Sequence, residues 1–227
     1  MAQPAALPGE TIGVAVLTGL GGSARPLVVP SPGVQFMESL FVSTAIVAIA
    51  EIGDKTQLLA LLLAAKFRRP VPIILGIFVA TIANHAGAAA VGALVNQWVG
   101  PNTMRWILGL SFLAMAAWIL VPDKVEDEEE GPPKPRFGVF GATVIAFFLL
   151  EMGDKTQIAT IALAAKYNSL LLVTCGTTLG MMIANVPAVL LGDVAAKKLP
   201  LGLVRGVAAL IFAALGVLTL TNENMVL

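Results

Sequence analysis

Charge is scarce in this 227-residue chain: only 12% of its residues are charged, about half the share in a typical soluble domain. With 57% hydrophobic residues arranged in long blocks, an ordinary soluble fold is excluded. The short alternating segments of a membrane barrel are also missing, so any spans are helical. Formal net charge is zero and no basic face stands out, which argues against a nucleic-acid partner. Cys175 is the only cysteine and His85 the only histidine. Their scarcity excludes an internal disulfide, a thiolate metal centre, a multi-histidine site and a histidine proton relay. It also leaves no cysteine–histidine nucleophile and no zinc-type histidine motif, so no enzyme is expected. Cys175 lies in an apolar run and reads as a packing residue.

What is present is hydrophobic length. Residues 1–36 are rich in Pro, Gly and Ala, and their one apolar run, TIGVAVLTGL, is shorter than the roughly 20 residues a span needs. No basic residue precedes it, unlike a signal peptide. We read 1–36 as a flexible extension, with Met37 as a second candidate start. Six spans are expected after it, at about Ser39–Lys66, Pro72–Val99, Met104–Val121, Val139–Lys166, Ser169–Val194 and Leu201–Leu220. Between the third and fourth lies the acidic, proline-rich stretch 122–138, a solvated linker. A tail, 223–227, follows the last span.

Inside two of these spans the chain repeats itself. Glu51-Ile52-Gly53-Asp54-Lys55-Thr56-Gln57 returns one hundred positions later as Glu151-Met152-Gly153-Asp154-Lys155-Thr156-Gln157. The duplication extends further, with Ala64-Ala65-Lys66 matching Ala164-Ala165-Lys166, Asn84 matching Asn185, Gly92 matching Gly192 and Arg105 matching Arg205. Residues 37–121 and 139–222 therefore form two repeats of three spans. An odd number of spans places the second copy upside down, giving an all-α polytopic protein of six transmembrane helices in two inverted-topology repeats. Lys and Arg collect in the loops after spans one, three and five, which predicts a cytoplasmic linker and both termini outside the cytoplasm.

Charges at membrane depth are costly and usually kept for function. On a continuous helix Glu51, Asp54 and Lys55 share a face, as do Glu151, Asp154 and Lys155. Each motif carries two acids and one base, so the pair has a net charge of minus two, which one divalent cation neutralises. Carboxylates with Thr56, Thr156, Gln57 and Gln157 nearby make a hard, oxygen-rich site suited to Mn²⁺, Ca²⁺ or Mg²⁺. A carboxylate removed from water holds a proton more readily, so metal and protons become alternatives at one site. The plainer reading makes Glu51–Lys55 and Glu151–Lys155 simple i,i+4 ion pairs, and it leaves Asp54 and Asp154 unexplained. Asn84 and Asn185 are either ligands or helix–helix hydrogen bonders. Gly53 and Gly153 either unwind the helix or admit a close neighbour. His85 has no counterpart in the second repeat, where Val186 stands, and reads as a packed or interface residue rather than a ligand, and Asp193 beside Lys197 and Lys198 reads as solvated.

Two E-x-G-D-K-T motifs, each in the first span of a three-span inverted repeat with a polar loop between, resemble the Gdt/MneA family of manganese and calcium transporters. The resemblance covers about Met37 to Leu220. It implies a cation/proton exchanger without a prosthetic group, in which Glu51, Asp54, Glu151 and Asp154 bind the metal. Lys55, Lys155, Thr56 and Thr156 complete the motifs. It further implies export of Mn²⁺, with Ca²⁺ as a second substrate, across a bacterial inner membrane with H⁺ as the coupling ion. An amino-acid exporter of the lysine type, or a cation channel or uniporter at the same site, are the alternatives.

Overall fold

The computed structural model describes residues 32–121, 137–191 and 201–221. Most of the N-terminal extension, nearly all of the acidic linker, the Gly192–Lys198 region and the C-terminal tail lie outside those residues. The chain divides into a short unit, Met1–Glu38, and a main unit, Ser39–Leu227, and every candidate functional residue falls in the second.

All regular structure among the described residues is helical. The helices are α1 (Pro32–Glu51), α2 (Lys55–Phe67), α3 (Pro70–Trp98), α4 (Pro101–Ile119), α5 (Gly138–Glu151), α6 (Lys155–Tyr167), α7 (Leu170–Leu191) and α8 (Leu201–Thr221). Pro70 and Pro101 stand in the first turns of α3 and α4, where a missing N–H costs nothing. Arg68 and Asn168 end α2 and α6 in the left-handed conformation. They are one hundred positions apart, so the duplication read in the sequence is also a duplication of backbone geometry.

The continuous helices expected over Ser39–Lys66 and Val139–Lys166 are each broken at the motif. α1 and α2 meet at a bend of 70°. By length and composition α3, α7 and α8 are each sufficient to cross a membrane, and α1–α2 is a fourth span if the bent pair counts as one. α5 is apolar but only 14 residues long. Leu171, Leu203 and Leu210 are 69%, 67% and 72% exposed, an apolar surface that suits lipid and would aggregate in water.

Packing runs between the repeats more than within them. α3 lies against α5 and α6 of the second repeat, and α2 lies against α7. Gly176 and Gly180 of α7 approach the α1 backbone at Leu40 and Thr44 so closely that a Cβ would collide. α4 pairs with α8, where Gly109 and Gly216 permit contact and the rings of Phe112 and Phe212 sit 6.2 Å apart. Small residues allow this close approach where lipid supplies no hydrophobic drive between helices. The main unit is therefore an interleaved bundle, and each motif is held largely by helices of the other repeat.

A candidate divalent-cation site at two helix breaks

The motif spells a helix stop followed by a helix start. Glu51 is the last residue of α1, and Gly53 has φ +81°, where a side chain would be strained. Asp54 is then the extended N-cap of α2. Glu151, Gly153 (φ +76°) and Asp154 repeat the arrangement before α6. The Asp154 carboxylate accepts from the Thr156 N–H at 3.5 Å. Gln57 Oε1 accepts from the Gly53 N–H at 2.9 Å, and Gln157 Oε1 from the Gly153 N–H at 2.7 Å. This is a capping-box arrangement shifted by one residue. The glutamines thus brace the breaks, and Gln57 Nε2 also donates to Ala184 O at 3.0 Å.

These breaks bring carboxylates of both repeats together. Glu51, Glu151 and Asp154 are all buried, and each offers an oxygen within 4.8 Å of the others. Thr56 Oγ1 donates to Glu51 Oε2 at 2.6 Å, and Thr156 Oγ1 to Glu151 Oε2 at 3.1 Å. The other oxygen of each glutamate, Oε1, is buried without a hydrogen-bond partner. Buried polar atoms without partners are rare in folded proteins, and two carboxylate oxygens in one cluster are what a cation would satisfy.

The lysines correct the simple ion-pair reading. Lys55 Nζ lies 3.0 Å from Asp154 Oδ1, and Lys155 Nζ lies 4.0 Å from Asp54 Oδ1. Both pairs cross between repeats, because the break turns each lysine away from the glutamate four residues before it. It follows that Glu51, Asp54 and Lys55 do not share one helical face, nor do Glu151, Asp154 and Lys155. Asp54 stands outside the three-carboxylate cluster. It lines a small, partly open cavity with Gly53, Lys155 and Arg205. Arg205 Nη2 points at Gly53 O from 3.5 Å, a role that its repeat match to Arg105 did not reveal.

The asparagines divide. Asn84 Nδ2 donates to Phe148 O at 3.0 Å and joins α3 to α5. Asn185 borders the Glu51 carboxylate, and its Oδ1 is buried without a hydrogen-bond partner. His85 is fully buried, its ring nitrogens accept or donate no hydrogen bond, and it stands outside the carboxylate cluster.

Similarity to known proteins agrees with this chemistry. The family model described as "Divalent cation/proton antiporter GDT1" matches residues 39–127 and 139–226. A protein described as "Putative manganese exporter" of Vibrio cholerae is 52% identical over 191 residues, covering 84% of this chain and 94% of its own. "GDT1-like protein 3" of Oryza sativa is 30% identical over 82% of this chain and 74% of its own. "GDT1-like protein 3" of Arabidopsis thaliana is 29% identical over 92% and 79%. No solved structure matches the chain. Two matched segments, each containing one motif, account for nearly all of the main unit: the chain belongs to the GDT1 family of divalent cation/proton antiporters, which are transporters and not enzymes.

Proposed function

We propose that the protein exports Mn²⁺ from the cytoplasm in exchange for protons, with Ca²⁺ as a second substrate. The observation that carries this reading is the buried cluster of Glu51, Glu151 and Asp154, which leaves two glutamate oxygens unsatisfied. Oxygen-only ligands favour Mn²⁺ and Ca²⁺ over softer metals, and the name of the Vibrio cholerae relative favours manganese. Thr56, Thr156 and Asn185 are supporting oxygens at the site. Lys55 and Lys155 hold Asp154 and Asp54 in place and reduce the net charge to one that a single divalent ion neutralises.

In this reading the six spans form two inverted repeats in a bacterial inner membrane. The linker is cytoplasmic and both termini are outside, as the distribution of Lys and Arg supports. Discontinuous helices meeting near mid-membrane are a recurrent way to build an ion site in secondary transporters. Because the repeats interleave, any body that moves in alternating access combines helices of both repeats. An amino-acid exporter is disfavoured because Lys55 and Lys155 already place ammonium groups beside Asp154 and Asp54.

The test is Mn²⁺ uptake into proteoliposomes under an imposed pH gradient, with Ca²⁺ as competitor. Gradient-driven uptake that Ca²⁺ inhibits is expected. Uptake indifferent to the gradient would replace the exchanger with a channel or uniporter, and no uptake of either metal would restore the amino-acid exporter.

A further inference from the structure

Threonines inside helices commonly return their hydroxyl to the carbonyl one turn back. Thr44, Thr143 and Thr177 do so at 2.8 Å, and Thr160 at 2.7 Å. Thr174 and Thr178, one turn apart on α7, do not. They are 8% and 3% exposed, and the Oγ1 of each is buried without a hydrogen-bond partner. Seven residues further along, Asn185 is fully buried with its Oδ1 in the same condition. Its Nδ2 reaches Met181 O at 3.1 Å and Met181 Sδ at 3.4 Å. Positions 174, 178, 181 and 185 fall on one helical face. The stripe ends at the site, since Asn185 borders Glu51.

Three unsatisfied oxygens in a row need a common explanation, because each costs several kcal/mol where bulk water is absent. Duplication does not supply it. In the register set by Gly76 and Gly176, Thr174 and Thr178 match Ile74 and Phe78 of α3, which carry no hydroxyl. Spacing does suggest an occupant. One helical turn rises about 5.4 Å, roughly the length of two hydrogen bonds through one bridging water. The longer interval from Thr178 to Asn185 would take further waters, beside the Met181 sulfur, to bridge. A buried water needs two to four polar partners, and this stripe offers them in sequence.

We propose that this face of α7 holds a file of ordered waters joining the carboxylate cluster to the N-terminal end of α7. It is separate from the cavity beside Asp54. Resting on the antiporter reading, the file gives protons a hydrogen-bonded route that the metal does not share.

Hydroxyl-radical footprinting with X-rays tests this on the intact protein in nanodiscs, because radicals formed from bound water oxidise neighbouring side chains. Met181, Met104 and Met115 are equally inaccessible, at 0%, 1% and 1% exposed, and the latter two sit in an apolar cluster. Met181 should oxidise several-fold faster than both. In the Thr174→Val/Thr178→Val protein its rate should fall to theirs, whereas Thr177→Val, which loses a hydroxyl bonded back to the Val173 and Thr174 carbonyls, should leave it unchanged. Met181 reacting no faster than Met104 in the unaltered protein would overturn the proposal, as would rapid oxidation that survives the double substitution. The double variant should also slow pH-driven Mn²⁺ uptake several-fold with equilibrium Mn²⁺ binding unaltered. Rapid Met181 oxidation without any pH-driven uptake by the unaltered protein would uphold the water file and defeat the antiporter reading instead.

Discussion

Each motif glutamate is held on one side only. A threonine hydroxyl from the following helix fixes Oε2, and Oε1 is buried without a hydrogen-bond partner. Acids this close repel one another when charged, by a few kcal/mol at an effective dielectric of about 20. With the acids charged, a metal-free cluster would carry that repulsion and a bound cation would relieve it. Glu151→Gln should leave the metal-free melting temperature equal or higher, since it removes a charge and keeps the shape. The same variant should lose the stabilisation by Mn²⁺, which at about a hundredfold excess over Kd amounts to roughly 2.7 kcal/mol in the unaltered protein. Thermal unfolding with and without Mn²⁺ checks both parts. A melting temperature that still rises with Mn²⁺ in the variant would remove Glu151 from the site. Glu51, Glu151 and Asp154 stood out in the sequence as candidate ligands because acids in apolar runs have few other uses. Their grouping without Asp54 did not, since it depends on where the helix breaks.

At the scale of the element, that break governs everything else. Gly53 followed by Asp54 and, three residues on, Gln57 is a left-handed stop, an N-cap and a capping glutamine in order. These signals were present in the sequence, but the apolar runs on both sides suggested one unbroken helix. Once the chain turns at Gly53 and Gly153, each lysine reaches the aspartate of the opposite repeat. Gly153 has open space around its Cβ position, so the cost of Gly153→Ala comes from the backbone alone, about 1–2 kcal/mol. Asparagine should cost less than alanine there, which a comparison of unfolding midpoints would reveal. Elsewhere in α3 two glycines should behave oppositely. Nothing lies within 4 Å of a Cβ at Gly87, whereas at Gly92 it would strike the Ile161 carbonyl and come within 2.9 Å of Ala164 Cβ. Gly87→Ala should be neutral or stabilising by up to about 1 kcal/mol. Gly92→Ala should destabilise by about 1–3 kcal/mol as α3 and α6 are forced apart.

Across the whole molecule, identical residues occupy unequal surroundings. Ala164 and Ala165 are 0% and 4% exposed against α3, while their counterparts Ala64 and Ala65 are half-buried and exposed. Lys155 is buried, yet the side chain of Lys55 is 31% exposed. The surroundings are thus closed around α6 and looser around α2. Under the proposed alternating access, this would be one of two states and the exchanged arrangement the other. With the exposed Cys175 replaced by serine, a cysteine at Ala65 should react readily with a maleimide and one at Ala165 slowly. Under conditions that drive the opposite state, such as a reversed pH gradient in proteoliposomes, the order should reverse. Equal and unchanging rates would mean that the asymmetry belongs to a rigid fold. The duplication was legible in the sequence alone, because matching residues recur at a fixed interval. Nothing there signalled that α3 packs on α5–α6 or that α7 packs on α1–α2, since such pairings arise only when the spans assemble.

The claim on which this account rests is that the two repeats build one shared ion site. Equilibrium binding of Mn²⁺ to the purified protein, followed by the electron paramagnetic resonance signal of the free ion, tests it most directly. One high-affinity Mn²⁺ per chain is predicted, lost alike in Glu51→Gln and in Glu151→Gln. Two ions per chain, or one that survives either substitution at full affinity, would contradict it.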